Sequence, residues 1–190
     1  VALVRHSSAN GIPLGGEASE RHFKPLFLDI ALCGNLCGLN LTNDSELLTI
    51  QEGSLAEQFI GQELRAIGPC FGERNLFYWQ REARNANAEI DYLWTHGENV
   101  IPVEVRAGTS GSLRSTHMFL AEKERHFAIR FNMDHPSIGS FNANIRSLSG
   151  TQVISYTLLS LPLYLAGQME RLVREYYEEG AKDLTKPWQG

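Results

Sequence analysis

The spacing of hydrophobic and polar positions changes several times along the chain, and each change marks an element. Asn75 to Gln80 (NLFYWQ) and Glu89 to Trp94 (EIDYLW) are runs of strong β formers. Val100 to Arg106 (VIPVEVR) runs back after the turn residues His96-Gly97-Glu98-Asn99. Together they predict an antiparallel ribbon. On its middle strand Ile90, Tyr92 and Trp94 fall on one face, and Asp91 and Leu93 on the other. On the third strand Val103 and Val105 alternate with Glu104 and Arg106. From Leu55 to Ile67 the period becomes helical: Leu55, Ala56, Phe59, Ile60, Leu64 and Ile67 fill one broad apolar arc. Ser54 is placed to cap this helix, and Glu57 three residues on completes a capping box. Glu63 falls inside the arc, where a carboxylate needs a partner.

Other segments are read the same way. Residues 1–22 pass from a short apolar patch into Gly, Ser, Asn and Pro, which predicts a strand end and a weakly packed loop or linker. Phe23 to Asp29 reads as a short strand, with Asp29 capping a helix over residues 30–37. Ser45 starts a separate short helical piece, and Gly68-Pro69 ends the long one. A helix is predicted over Leu113–Lys123, a strand over Phe127–Phe131, a polar loop over Asn132–Gly150, and a late strand over Thr151–Leu158. A last helix opens at Pro162 and runs toward Glu179, leaving residues 181–190 as a tail in which only Trp188 can pack. The order of elements predicts an α/β fold, a mixed central sheet flanked by helices.

Composition narrows the class. With 190 residues, 43% hydrophobic and 21% charged, the chain suits an ordinary globular domain with an appendage, or two small domains. It has no apolar run of membrane-spanning length and no signal peptide, so no membrane partner is expected. It opens VALVRHSS without an initiator Met, which reads as a fragment of something longer. The net charge of -5 excludes a uniformly basic, nucleic-acid-coating surface. Arginines concentrated in the middle of the chain leave room for a local basic groove.

Three cysteines are too few for a disulfide framework and suit a reducing cytoplasm. Cys33, Cys37 and Cys70 read as small core residues, with no zinc spacing. Rossmann and P-loop glycine patterns and the serine-hydrolase elbow are absent from the sequence. His96, His117 and His126 have no spaced partners and read as ordinary surface or core histidines.

Asp91 and Glu104 fall on neighbouring strands within reach of one site, with Arg106 two residues past the second. Alternating charges on a strand ordinarily mark the solvated face of a half-buried sheet. On strands this apolar, two carboxylates also suit a divalent cation, with Arg106 left to face a phosphate. Tyr78, Trp79, Tyr92 and Trp94 read first as sheet packing and second as stacking platforms for bases. Arg81 and Arg84, in the loop between the first two ribbon strands, are candidate phosphate contacts or solvated loop charges.

Glu57 on the first long helix, Asp91 on the second ribbon strand and Glu104-x-Arg106 on the third resemble the signature of the PD-(D/E)XK, restriction endonuclease-like fold. Six ordered segments extend the likeness: FKPLFLDIAL, GSLAEQFIGQEL, LFYWQRE, AEIDYLW, IPVEVRAG and LPLYLAG. They resemble the C-terminal domain of unknown function of prokaryotic AAA+ family ATPases. The resemblance implies that residues 1–22 are a linker or the tail of a winged-helix-like segment, and residues 23–180 the nuclease-like domain. ATP would then belong to an absent N-terminal domain, the chain's first expected partner, and oligomers are compatible with it. It also implies that Asp91, Glu104 and the carbonyl of Val105 hold Mg²⁺ or Mn²⁺, with Glu57 bound directly or through water. Arg81, Arg84 and Arg106 would meet DNA. The family pattern has Lys where this chain has Arg106, and Arg stays protonated. Two functions are therefore expected: metal-assisted phosphodiester hydrolysis, or a non-catalytic regulatory or protein-interaction domain with a decayed site.

Overall fold

A computed structural model describes residues 1–36, 45–67, 74–81, 88–108, 112–147 and 150–179, with the side chains of 45–52, 146–147 and 179 left undescribed. The fold is α/β, built on one mixed sheet of eight strands. In chain order the strands are β1 (Ala2–Ser7), β2 (Ala18–Leu26), β3 (Leu76–Gln80), β4 (Glu89–His96), β5 (Asn99–Val105), β6 (Phe127–Asn132), β7 (Ser137–Ser147) and β8 (Gly150–Pro162). The helices are α1 (Ile30–Leu36), α2 (Ser45–Ala66), α3 (Arg114–Glu122) and α4 (Met169–Glu179). Across the sheet the order is β2-β1-β3-β4-β5-β6-β8-β7.

The ribbon β3–β4–β5 is antiparallel as its pattern predicts. Gly97, at φ 55°, supplies the left-handed residue of the tight turn between His96 and Asn99. From β5 the chain crosses over through α3 and returns as β6, parallel to β5, and β8 lies parallel to β6 in turn. One face of the sheet packs on α2 and α4: Ala56, Ile60, Leu64, Met169 and Val173 meet Tyr92, Trp94, Ile101, Val103 and Val105. The other face packs on α3, where Phe119 meets Trp79 edge-to-face with ring centroids 5.2 Å apart. Leu120 joins Ala128, Ile154, Tyr156 and Leu158 in a neighbouring cluster.

Several local expectations hold. Asp29 caps α1, accepting the Leu32 N–H at 2.7 Å. Cys33 is a buried core residue. Cys37, Cys70 and Trp188 lie outside the described residues, as does the stop at Gly68-Pro69.

Others are overturned. Residues 1–22, expected to pack weakly, supply β1 in the interior of the sheet between β2 and β3, and bury His6, Ser7, Ala9 and Leu14. A mixed polar sequence can do this because sheet neighbours satisfy its backbone on both sides. The next strand starts at Ala18, earlier than its apolar stretch. The expected polar loop over 132–150 contains the edge strand β7, paired with β8 from Ser137↔Ser160 to Ser147↔Gly150. A strand with one free edge needs few apolar residues, and Ile138, Ala143 and Ile145 pack it against the core. The late strand is longer than predicted, Gly150–Pro162, and the last helix begins with a 3-10 segment, Leu163–Gln168.

Helix α2 runs unbroken from Ser45, so Ser54 lies inside it and no capping box forms with Glu57. Gly53-Ser54 costs about 1 kcal/mol of helix propensity or slightly more, which tertiary packing of the following turns overrides. The packing is close at one point. A Cβ on Gly61 would lie 2.3 Å from the Tyr92 hydroxyl and 2.6 Å from Leu26 Cδ1. That hydroxyl donates to the Glu57 carbonyl at 2.9 Å, which ties α2 to β4 one turn before Gly61. Gly61→Ala should lower stability by about 1–3 kcal/mol, seen as a lower urea midpoint, whereas an unchanged midpoint would mean α2 sits less closely on the sheet.

Candidate functional site

The middle ribbon strand is not a regular alternation. Phe77 stands opposite Leu93, but Trp79 stands opposite Ile90, so two steps along β3 match three along β4. This is a β-bulge at Asp91–Tyr92. It divides the predicted face: Tyr92 and Trp94 join the core under α2, while Ile90 joins Leu93 in the core under α3. The expectation of Ile90, Tyr92 and Trp94 on one face fails there, because sequence alternation carries no mark of an extra residue.

The bulge re-aims Asp91. Its Oδ2 accepts the Val105 N–H at 2.7 Å. A strand N–H points along the plane of the sheet, so this carboxylate occupies a position where a backbone carbonyl of β4 would otherwise sit. From there it is open to groups from several elements. Glu57 comes from α2, Lys24 from β2, Glu89 from the start of β4, and Glu104 and Arg106 from the end of β5. The Val105 main chain is fixed further by the next residue, whose N–H donates to the Phe131 carbonyl at 2.8 Å.

Charge inside this cluster is unbalanced. Lys24 Nζ pairs with Glu57 at 3.0 Å and also with Glu89, and lies 5.0 Å from the centroid of the Tyr78 ring. Burial pulls the Lys24 ammonium down, but Glu57 and Glu89 outweigh it and the net shift is upward. Arg106 pairs with Glu104 Oε1. Glu104 is only 2% exposed, and its Oε2 is buried with no hydrogen-bond partner, as is Arg106 Nε. A buried carboxylate oxygen left unpaired is costly.

Burial, then the neighbouring charge of Glu57, pushes the Asp91 carboxyl up to about 7, although the Val105 N–H, Lys24 and Arg106 pull it back. Burial and then Asp91 push Glu104 up to about 8 against the pull of Arg106. Four acids, Glu57, Glu89, Asp91 and Glu104, face two cations, Lys24 and Arg106.

A family profile described as Domain of unknown function (DUF4143) matches residues 52–154, more than half of the chain and all of this cluster except Lys24. The chain belongs to that family. No curated protein and no solved structure matches it. The DUF4143 span begins within α2 and ends within β8, so it takes in the ribbon, the α3 crossover and β6.

The predicted site residues divide accordingly. Glu57, Asp91, Glu104 and Arg106 are brought together, with the Val105 backbone beside them. Arg81 stands apart, with its Nε donating to Glu122 of α3 at 3.1 Å. Arg84 lies outside the described residues. The aromatic residues Tyr78, Trp79, Tyr92 and Trp94 are all buried, which makes them sheet packing. His117 contacts Tyr156 at 2.8 Å, and burial lowers its pKa. His96 stacks on Tyr177.

Sequence reasoning missed Lys24. Its only signal is a lone charge in the apolar stretch FKPLFL, and nothing local says that β2 faces α2. Among the described residues no group of three or more His, Cys, Asp and Glu is arranged to hold a metal ion. Asp91 and Glu104, the latter with its unpaired Oε2, are two carboxylates, short of such a group, and carboxylate oxygens are the donor type of hard divalent cations rather than of zinc. Among the described residues no helix is long and apolar enough to cross a membrane.

The raised carboxyls set a pH dependence. A carboxyl whose folded pKa lies above its ordinary value of about 4 binds more protons in the folded state through the interval between the two. Its contribution is present at the acidic end of that interval and lost as pH rises toward about 8. Glu104→Gln should therefore show a smaller loss of unfolding free energy than the parent chain between pH 5 and pH 8 in urea titrations. An identical loss in both would contradict the raised Glu104 carboxyl.

Proposed function

We propose that this chain is a nuclease-like domain with a PD-(D/E)XK, restriction endonuclease-like core, which binds nucleic acid and hydrolyses phosphodiesters with Mg²⁺ or Mn²⁺. The observation that carries the reading is the pair of raised carboxyls, Asp91 and Glu104, with the buried Glu104 Oε2 lacking any partner. The order α2, β3–β4–β5, α3, β6 supports the core assignment, since it puts a helix before an antiparallel ribbon and a parallel crossover after it. Asp91 and Glu104 would hold the ion, with the Val105 carbonyl beside them and Glu57 reached through water. Bound there, a divalent ion supplies phosphate polarisation and a water of lowered pKa.

The chain's own residues supply the rest. Arg106 stays protonated and serves as a phosphate clamp. Lys24, kept charged by Glu57 and Glu89, takes the role of the site's second cation and orients a water or a phosphate oxygen. The same reading assigns the chain to the cytoplasm of a prokaryote, as the C-terminal part of an AAA+ ATPase. A second reading, a non-catalytic regulatory module, is favoured by one observation: both cations are already engaged by the site's own acids, Arg106 by Glu104 and Lys24 by Glu57 and Glu89.

Calorimetric titration with Mn²⁺ tests the site. Binding should be saturable, tighten from pH 6 to pH 8 as Asp91 and Glu104 lose their protons, and disappear in Asp91→Ala. Mn²⁺ affinity unchanged from the parent chain in both Asp91→Ala and Glu104→Ala would sink the assignment. Lys24→Gln separates the two readings. It removes a cation that competes for the acids, so Mn²⁺ should bind at least as well while cleavage of short DNA falls by about 10²-fold. Saturable Mn²⁺ binding without cleavage by the parent chain would instead favour the regulatory module.

A further inference from the structure

One strand beyond the acids lies a group rich in hydrogen-bond donors. Glu104 on β5 is in register with Arg130 on β6, and Arg130 with Ser160 on β8. These three strands are parallel, and the row lies within three residues of the carboxyl end of each. Ligands of open α/β sheets bind beyond such ends.

Arg130 Nε and Nη2 both donate to Ser160 Oγ, at 3.4 and 3.2 Å, and Asn132 Nδ2 donates to the same oxygen at 3.2 Å. A hydroxyl oxygen has two lone pairs, so three N–H groups converge on fewer acceptor sites than they need. Asn132 also reaches Asp134 Oδ2 at 3.2 Å, and the Asp134 N–H donates to Asn132 Oδ1 at 3.2 Å. Asn132 and Ser160 are 1% and 2% exposed. Among the described residues no carboxylate forms an ion pair with the half-buried Arg130, because Glu104 turns to Arg106 instead. The result is a built, donor-rich group in which Asp134 bonds to Asn132 and the Arg130 guanidinium has no paired carboxylate among the described residues.

We propose that Arg130, Asn132 and Ser160 form a phosphate-binding subsite. It takes a backbone phosphate of a nucleic-acid strand and holds that strand beside Glu104. The guanidinium fork matches two phosphate oxygens, and the Ser160 O–H, whose oxygen accepts from Arg130 and Asn132, adds a third donor. The identity of the ligand as a phosphodiester rests on the function proposed above, whereas the affinity for a phosphate group rests on the donor surplus alone.

The test titrates orthophosphate, and separately a short single-stranded oligonucleotide, into the 190-residue chain in EDTA, where no metal contributes. Arg130→Gln should weaken both by roughly tenfold and reduce the slope of log K against log salt for the oligonucleotide by about one. Glu98→Gln, in the exposed turn at the opposite end of β5, should bind both ligands as the parent does. Unchanged affinity and slope in Arg130→Gln overturn the subsite, and so does a parent chain that binds neither ligand. Orthophosphate binding that depends on Arg130, without oligonucleotide binding, keeps the subsite and overturns its assignment to nucleic acid. Should Arg130→Gln fail to fold, Arg130→Lys carries the test. Its charge keeps the salt slope while loss of the fork weakens orthophosphate binding, and parent-like affinity would overturn the proposal.

Discussion

The site depends on one hydrogen bond, from the Val105 N–H to the Asp91 carboxylate. It closes the end of the β4–β5 ladder with a side chain where a backbone carbonyl would ordinarily serve, and the bulge in β4 makes the room. A carboxylate in the plane of the sheet is reached by groups from α2, β2 and β5 at once. Were β4 regular, Asp91 would belong to one face and share an environment with fewer of them. The bulge thus converts an alternating strand into a point where several elements meet.

Electrostatics follow from that placement. Burial, and after it the surplus of four acids over two cations, holds the Asp91 and Glu104 carboxyls above the usual carboxylate range. One strand away, Arg130 has donors to spare and no paired carboxylate among the described residues. On the function proposed above, the acid-rich side would take the divalent cation and the donor-rich side the phosphate next to it. Helix α2 is held to this arrangement by its backbone: the Glu57 carbonyl accepts from Tyr92, and Gly61 lets the helix come close enough for that bond to form.

Much of this was legible in the sequence. The ribbon could be read because its strands are strong β formers around a glycine turn, and Asp91, Glu104 and Arg106 could be named because a charge on such strands is conspicuous. What could not be read depends on distant partners. The bulge depends on how β3 and β4 match in length, and Lys24 matters only because its side chain on the edge strand β2 meets Glu57 of α2. Strand β1 has a loop-like continuation, yet the sheet needs it between β2 and β3. Strand β7 is rich in Ser and Asn and reads as loop, since an edge strand with one solvated face asks little of its sequence. Gly53-Ser54 looked like a helix start, and packing carried the helix through it.

The most direct test of the account is a carbon-13 NMR titration of the Asp91 and Glu104 carboxyl groups, without metal and then with Mg²⁺. The account predicts midpoints near 7 and 8 in the metal-free chain, both moving down toward the ordinary carboxylate range when Mg²⁺ is added. Midpoints near 4 in the metal-free chain, unmoved by Mg²⁺, would contradict it.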